Sequence, residues 1–200
     1  MQEQLLNLAK QRRSIYALGR NVSASDDELS TLIKDNIKWA PTSFNNQTTR
    51  AVILFGNSHE QLWDIVGKRL KSEVPTEEAY QKTLEKINGF KSAYGTVMFF
   101  TDMDIVHRFE NDFALYADNF FDWSEQAQGS AQFSVWTALA ENGLGANLQH
   151  YNPLIDDEVR AAFNIPDNWK LRAQLDFGSI EAPAGQKEFM ADSDRFKVFN

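Results

Sequence analysis

The 200-residue sequence contains no cysteine, which excludes disulfides, thiolate metal sites and a cysteine nucleophile. Any redox chemistry must therefore use a borrowed cofactor. Basic residues are in deficit: 20 Lys and Arg face 28 Asp and Glu, for a formal charge of −8. Such a chain repels a phosphate backbone, so nucleic acid is not an expected partner. No window approaches the roughly 18 consecutive apolar residues of a membrane span. Met1 to Arg13 alternates apolar and polar residues at helical spacing, unlike the continuous apolar stretch of a signal peptide. A soluble, cytoplasmic protein without a membrane partner is expected. His59, His107 and His150 lack a second histidine or a paired carboxylate at ligand spacing, so no metal site is expected. The Gly-x-Ser-x-Gly and P-loop patterns are absent too, which removes the familiar serine hydrolases and phosphoryl-transfer enzymes.

What is present suits a sizeable core. Apolar residues make up 42% and aromatics 12%, including 15 Phe and 5 Trp, enough to bury a flat ring system as well. No internal repeat or Ser/Gly linker interrupts the chain, so residues 1–200 read as one domain. A short first helix ends at the basic pair Arg12, Arg13. Ser25-Asp26-Asp27-Glu28 is a capping box opening a helix that Pro41 stops. Ala51 to Phe55 reads as a strand, followed by a turn and cap at Gly56-Asn57-Ser58. Helices are expected over Gln61 to Leu70 and Glu77 to Ile87, with a loop bracketed by Gly89 and Gly95. Thr96 to Thr101 is a strand apolar on both faces. From Asn111 to Asn142 no proline intervenes, and Ala131 to Ala140 is a helix buried on several sides that ends at Gly143. Ala146 to Leu148 and Leu171 to Phe177 add strands, with a helix over Ile155 to Phe163 between them. The fold class is α+β or α/β. A charged, extended tail follows Gly178, of a kind that often wraps a partner.

Three stretches carry chemistry. Arg12, Arg13 and Ser14 can clamp a phosphate through guanidinium forks and a hydroxyl; a basic pair at a helix C-terminus also serves simply to answer the helix dipole. The loop from Pro41 to Thr49 is dense in amides and hydroxyls without a charge, a composition that can read the edge of a heterocycle such as the pyrimidine-like end of a flavin, or merely connect a helix to a strand. Gly143-Leu144-Gly145 lacks the third glycine of a dinucleotide fingerprint and follows a helix instead of opening one. The segment after it, Gln149 to Asn152, places polar groups at a strand end, where ligands often sit. Trp123, Trp136 and Phe113, Phe120, Phe121 and Phe133 are assigned to core or dimer packing.

Arg12-Arg13-Ser14-Ile15-Tyr16 followed some thirty residues later by Ala40-Pro41-Thr42-Ser43-Phe44-Asn45-Asn46-Gln47 resembles the paired signatures of the nitroreductase family. The helix ending Glu141-Asn142-Gly143-Leu144-Gly145 and the charged tail extend the resemblance over nearly the whole chain. Arg12-Arg13-Ser14-Ile15-Tyr16-Ala17-Leu18-Gly19 and the closing Arg195-Phe196-Lys197-Val198-Phe199 look most like the short nitroreductase-like branch of bacteria and fungi. The resemblance implies a three-layer sandwich with a central mixed sheet flanked by helices and a C-terminal tail exchanged in a homodimer. It also implies FMN at the dimer interface and NADH or NADPH as co-substrate. A small oxidised acceptor, a nitroaromatic or a quinone, is then reduced by ping-pong hydride transfer on flavin N5, without a catalytic side chain. Arg12, Arg13 and Ser14 would hold the phosphate, helped by Lys187 or Arg195. Thr42, Ser43, Asn45 and Gln47 would meet the ring from the opposite subunit, with Gln149 and His150 on its other side. Thr42 stands where relatives usually have serine, Thr48 where many have proline, and Gln149-His150-Tyr151 where longer relatives have Pro-x-Glu-Gly. Two other readings stay open: a flavin-binding sensor with little turnover, and an apo interaction module using its aromatic surface.

Overall fold

A computed structural model describes residues 3–199. The elements run α1 (Gln4–Gln11), β1 (Leu18–Gly19), α2 (Asp26–Trp39), β2 (Thr49–Phe55), α3 (Gly56–Leu70), α4 (Glu77–Lys91), β3 (Gly95–Asp102), α5 (Met103–Asp112), α6 (Phe120–Glu141), β4 (Gly145–Gln149), α7 (Asp156–Phe163), β5 (Trp169–Ile180) and α8 (Asp192–Arg195), with 3-10 turns at Ser43–Asn45 and Ala114–Asn119. The sheet runs β1-β5-β3-β2, and β4 also pairs with β5. Every strand ladder is antiparallel. The parallel component of the sheet is a single bridge, Ser14 to Ala146.

β3 is buried along its whole length, as its unbroken apolar run dictates. Alternation sorts its side chains: Met98 and Phe100 join one core with Leu62, Trp63, Phe90 and Val159, while Val97 and Phe99 join another with Leu29, Ile33, Val135 and Leu139. Helices α3, α4 and α7 thus cover one face and α2 and α6 the other, giving the expected three-layer sandwich. A β-bulge explains an apparent exception. Leu171 and Leu175 of β5 have the same parity, yet they lie in different cores. The register slips between Phe99, opposite Ala173, and Phe100, opposite Leu171, so Arg172 is the extra residue and the strand changes face there. Gln128 of α6 repairs the interrupted ladder: its Nε2 donates to the Phe100 carbonyl at 2.7 Å and to Thr101 Oγ1 at 3.0 Å.

The capping box forms, with Ser25 N donating to the Glu28 carboxylate at 2.8 Å and Glu28 N to Ser25 Oγ at 3.3 Å. The α6 exit is a Schellman turn: Gly143 at φ 76° lets its N–H reach Ala140 O at 3.0 Å, and Leu144 N reaches Leu139 O at 3.0 Å. Two expectations fail locally. No turn separates β2 from α3, because Gly56 at φ 50° bends the chain straight into the helix. Gly89 lies inside α4, which runs on to Lys91, and the loop before β3 is correspondingly short. The tail from Ala182 is almost wholly exposed.

A buried polar cluster crosses the first core. Trp63 Nε1 donates to Thr96 Oγ1 at 3.1 Å, and His59 sits with Nδ1 2.8 Å from Thr96 Oγ1 and Nε2 3.1 Å from the Lys91 carbonyl. A carbonyl only accepts, so Nε2 carries the proton and Nδ1 takes the Thr96 hydroxyl proton. Thr96 then has no proton left for Asp176, whose Oδ1 lies 3.1 Å away. A neutral, protonated Asp176 removes the conflict by donating to Thr96 Oγ1, and complete burial pushes its pKa well above the ordinary carboxylate value. At pH above that ordinary value the unfolded chain releases the proton that the folded chain keeps, so burial costs more as pH rises. Asp176→Asn keeps the donor without that cost. Its melting temperature should exceed that of the parent at neutral pH and converge with it in acid; calorimetry against pH reads this directly.

Candidate cofactor site

After α1 the chain turns extended at Arg12, with φ −64° and ψ 113°, and runs along the edge of β4. Ile15 N donates to Ala146 O, and Asn147 Nδ2 donates to Ile15 O, each at 2.9 Å. This anchoring presents Arg12, Arg13 and Ser14 to a cavity of about 570 Å³ whose opposite wall is Ala182 to Lys187. The volume lies within the range of small-molecule sites, roughly 300–1,000 Å³.

Two guanidinium groups meet there. Arg12 stacks 4.4 Å from the Trp136 ring centroid and 6.0 Å from that of Phe133, both on α6. Its Nε is buried without a partner. Burial, and then the neighbouring Arg13, lower its proton affinity. Arg13 Nη2 donates to the Gly185 carbonyl at 2.6 Å, which ties the root of the tail across the cavity. Among the described residues neither arginine pairs with a carboxylate, and nor does Lys187. In a chain with a surplus of eight acidic groups, three cations left unpaired around one cavity favour an anionic ligand. Arg195, by contrast, sits in the exposed α8 and does not line the cavity.

The neutral loop lies at the other end of α6. Phe44 packs at centroid distances of 4.8 Å from Phe113, 5.7 Å from Phe120 and 6.2 Å from Trp123. Trp123 and the Arg12-stacked Trp136 are thirteen residues apart on this helix, or about 20 Å at 1.5 Å per residue. Inside the loop, Thr42 Oγ1 accepts from Gln47 N at 3.1 Å and Thr42 O from Asn45 N at 3.0 Å. The Thr42 hydroxyl therefore shapes the turn. Phe44, Asn45 and Gln47 all have φ between 51° and 54°, a left-handed conformation disfavoured for residues with a Cβ. Asn45 and Gln47 point outward while Asn46 and Thr48 point in, so the loop offers its odd-numbered amides to an outside group.

Gln149 Nε2 donates to Asn147 Oδ1 at 2.7 Å on β4, and His150 is exposed just beyond that strand. Neither residue lines the cavity beside Arg12 and Arg13. Trp136, expected only to pack, also carries the Arg12 guanidinium, and Arg50, which no local pattern singles out, braces the loop by donating to the Gln47 carbonyl. Among the described residues no group of three or more His, Asp or Glu is placed to hold a metal ion, and no helix is long and apolar enough to cross a membrane.

This arrangement of a cation-lined cavity, a neutral strained loop and a three-layer sandwich coincides with a sequence-level match. The Nitroreductase family model covers residues 9–179, and the chain belongs to that family of oxidoreductases. It is 37% identical to nitroreductase FRM2 of Saccharomyces cerevisiae over 189 residues, 92% of each chain. It is similar to nitroreductase CinD of Lactococcus lactis, solved with nicotinic acid, at 52% identity and a TM-score of 0.92, covering 98% of this chain and all of that one. CinD has also been solved with chloramphenicol and with 4-nitrophenol. An FMN complex from Desulfovibrio desulfuricans shares the fold at 19% identity and a TM-score of 0.70, each chain covered in full.

Proposed function

We propose that the chain is an FMN-dependent oxidoreductase, one domain over residues 1–200, that works as a homodimer and passes hydride from NADH or NADPH to a small oxidised acceptor. The observation that carries this reading is the trio of cations, Arg12, Arg13 and Lys187, that pair with no carboxylate among the described residues and surround a cavity of about 570 Å³. A terminal phosphate fits that donor set together with the Ser14 hydroxyl. Bound FMN would supply hydride transfer between a nicotinamide and the acceptor.

Within one chain the phosphate end and the amide loop stand about 20 Å apart along α6. Two chains with their α6 helices running in opposite directions bring one chain's Arg12 end to the other's Asn45 end. The surface supports such a pairing: Tyr16, which lines the cavity, is 61% exposed, and Leu5 on α1 and Phe133 on α6 are 70% and 43% exposed, apolar side chains that a second subunit would cover. In that dimer Arg12, Arg13, Ser14 and Lys187 bind the phosphate, and Arg195 of the tail adds to the charge. Thr42 holds the loop, while Ser43, Asn45 and Gln47 orient the ring edge. Gln149 and His150 flank the other side. Phe44 and its aromatic neighbours exclude water where a flat acceptor stacks, and the CinD complexes with 4-nitrophenol and chloramphenicol make nitroaromatics the first acceptors to try, with quinones beside them.

Steady-state turnover tests this reading. With FMN bound and a quinone or 4-nitrophenol present, NADH or NADPH should be oxidised continuously, at the order of one turnover per second or faster. A single stoichiometric reduction without turnover would instead favour a sensor of the same fold.

A further inference from the structure

We propose that Arg50 is a positioning residue that fixes the ring-facing loop and the aromatic wall of α5 relative to one another, so that it governs how Gln47 meets the cofactor and how Phe44 meets the acceptor. This rests on the function proposed above.

The geometry is that of a single fastener. Arg50 Nη1 donates to the Gln47 carbonyl at 2.7 Å and to the Thr49 carbonyl at 3.2 Å, and Nη2 donates to Asp102 Oδ2 at 3.0 Å. The other carboxylate oxygen, Asp102 Oδ1, accepts from Ile105 N at 3.4 Å, capping α5, and from Asn168 Nδ2 at 2.9 Å. Asp102 N in turn donates to Thr48 O at 2.9 Å. The Gln47 peptide is thereby held at both ends, its N–H by Thr42 and its carbonyl by Arg50. That matters because Gln47 is left-handed, like Phe44 and Asn45, and a side-chain-bearing residue stays so only when its surroundings over-determine it. The same ion pair anchors the start of α5, which carries Phe109 and leads to Phe113 and Tyr116. All three pack on Phe44, at 6.4, 4.8 and 6.2 Å between centroids. Backbone and aromatic neighbours of Phe44 therefore share one anchor. The pair is partly shielded from water, with Arg50 29% and Asp102 10% exposed. Lysine cannot replace the fork, since an ammonium is a single point charge and loses the divergent second contact.

The test uses the FMN-loaded full-length protein, its Arg50→Lys and Asp102→Asn variants and the double variant. Asp102→Asn retains an oxygen to cap α5, and Arg50→Lys retains the charge. FMN affinity, visible circular dichroism of the bound flavin, KM for 4-nitrophenol and for NADH, and melting temperature are measured. Both variants should still bind FMN through the intact cationic cavity. The flavin dichroism should change, the acceptor KM should rise, and kcat/KM for the acceptor should fall by up to about 100-fold, the loss that a misplacement of about 1 Å can cause. The double variant should be no worse than the poorer single one, as coupled residues require. Variants that melt earlier while keeping the parent's flavin dichroism and acceptor KM would reduce Arg50 to a structural ion pair and overturn the proposal. Additive effects in the double variant would overturn it too. A parent protein that takes up no FMN overturns this proposal and the function beneath it together.

Discussion

Alanine at Arg13 is expected to weaken FMN binding by about 10- to 100-fold. A hydrogen bond to a charged group contributes about 1.5–3 kcal/mol, and each 1.4 kcal/mol is tenfold in affinity. Arg13 has a second duty, its 2.6 Å bond to Gly185 O, so the substitution also frees the tail root that closes the cavity and pushes the loss toward the upper figure. Arg12→Ala should cost a similar amount and additionally bare the face of Trp136, on which the guanidinium stacks at 4.4 Å. Riboflavin, which lacks the phosphate, should bind both variants and the parent alike. Lys82→Ala, on an exposed helix face 73% open to solvent, serves as the control and should leave affinity unchanged. Fluorescence titration of the apoprotein checks all of these.

Acid should destabilise the protein through His59. Burial is the main reason its pKa falls from 6.5 to about 4, with the Lys91 carbonyl opposing and Arg20 assisting. The sign follows from linkage. Between about 4 and 6.5 the unfolded chain binds a proton at His59 that the folded chain refuses, so the His59 contribution is intact above 6.5 and drains away as pH falls toward 4. The interval corresponds to about 3 kcal/mol, a large share of the 5–15 kcal/mol typical of a domain. Charged groups around the ring are Arg20, Glu60 and Lys91, and they modify the midpoint without reversing it. Denaturant unfolding at a series of pH values should show this slope in an Asp176→Asn background, because in the parent the proton that Asp176 keeps opposes it over the same interval, and His59→Gln in that background should flatten it while lowering stability at neutral pH. An Asp176→Asn protein with no loss of stability between these pH values would refute the assignment of a neutral, buried His59.

Much of this architecture is legible in the sequence because hydrophobic period and caps are local. The run at Thr96 to Thr101 reads as a strand buried on both faces and forms one, and Ser25 with Glu28 marks the start of α2. What escaped depends on distant partners. α5 follows β3 without any glycine or proline to announce it, and its cap, Asp102, is also the last strand residue. The bulge at Arg172 leaves no local signal, although it decides which face Leu171 and Leu175 occupy. The same holds for the site. Arg12, Arg13 and Ser14 were readable as a unit, and Lys187 joins them in the folded chain. The left-handed loop was hidden, since Phe44, Asn45 and Gln47 are not the glycines that usually mark such backbone. Arg50 and Asp102, like His59 with Thr96 and Asp176, meet only through strand register and helix packing, which a one-dimensional pattern does not record.

The central claim is that two copies of this chain enclose FMN with arginines at one end and uncharged amides at the other. Its most direct measurement is a visible absorption spectrum of the purified protein after FMN is added and the excess removed, recorded across a size-exclusion peak. The account predicts a yellow dimer carrying one flavin per chain. A colourless protein, or flavin eluting apart from a lone subunit, would contradict it.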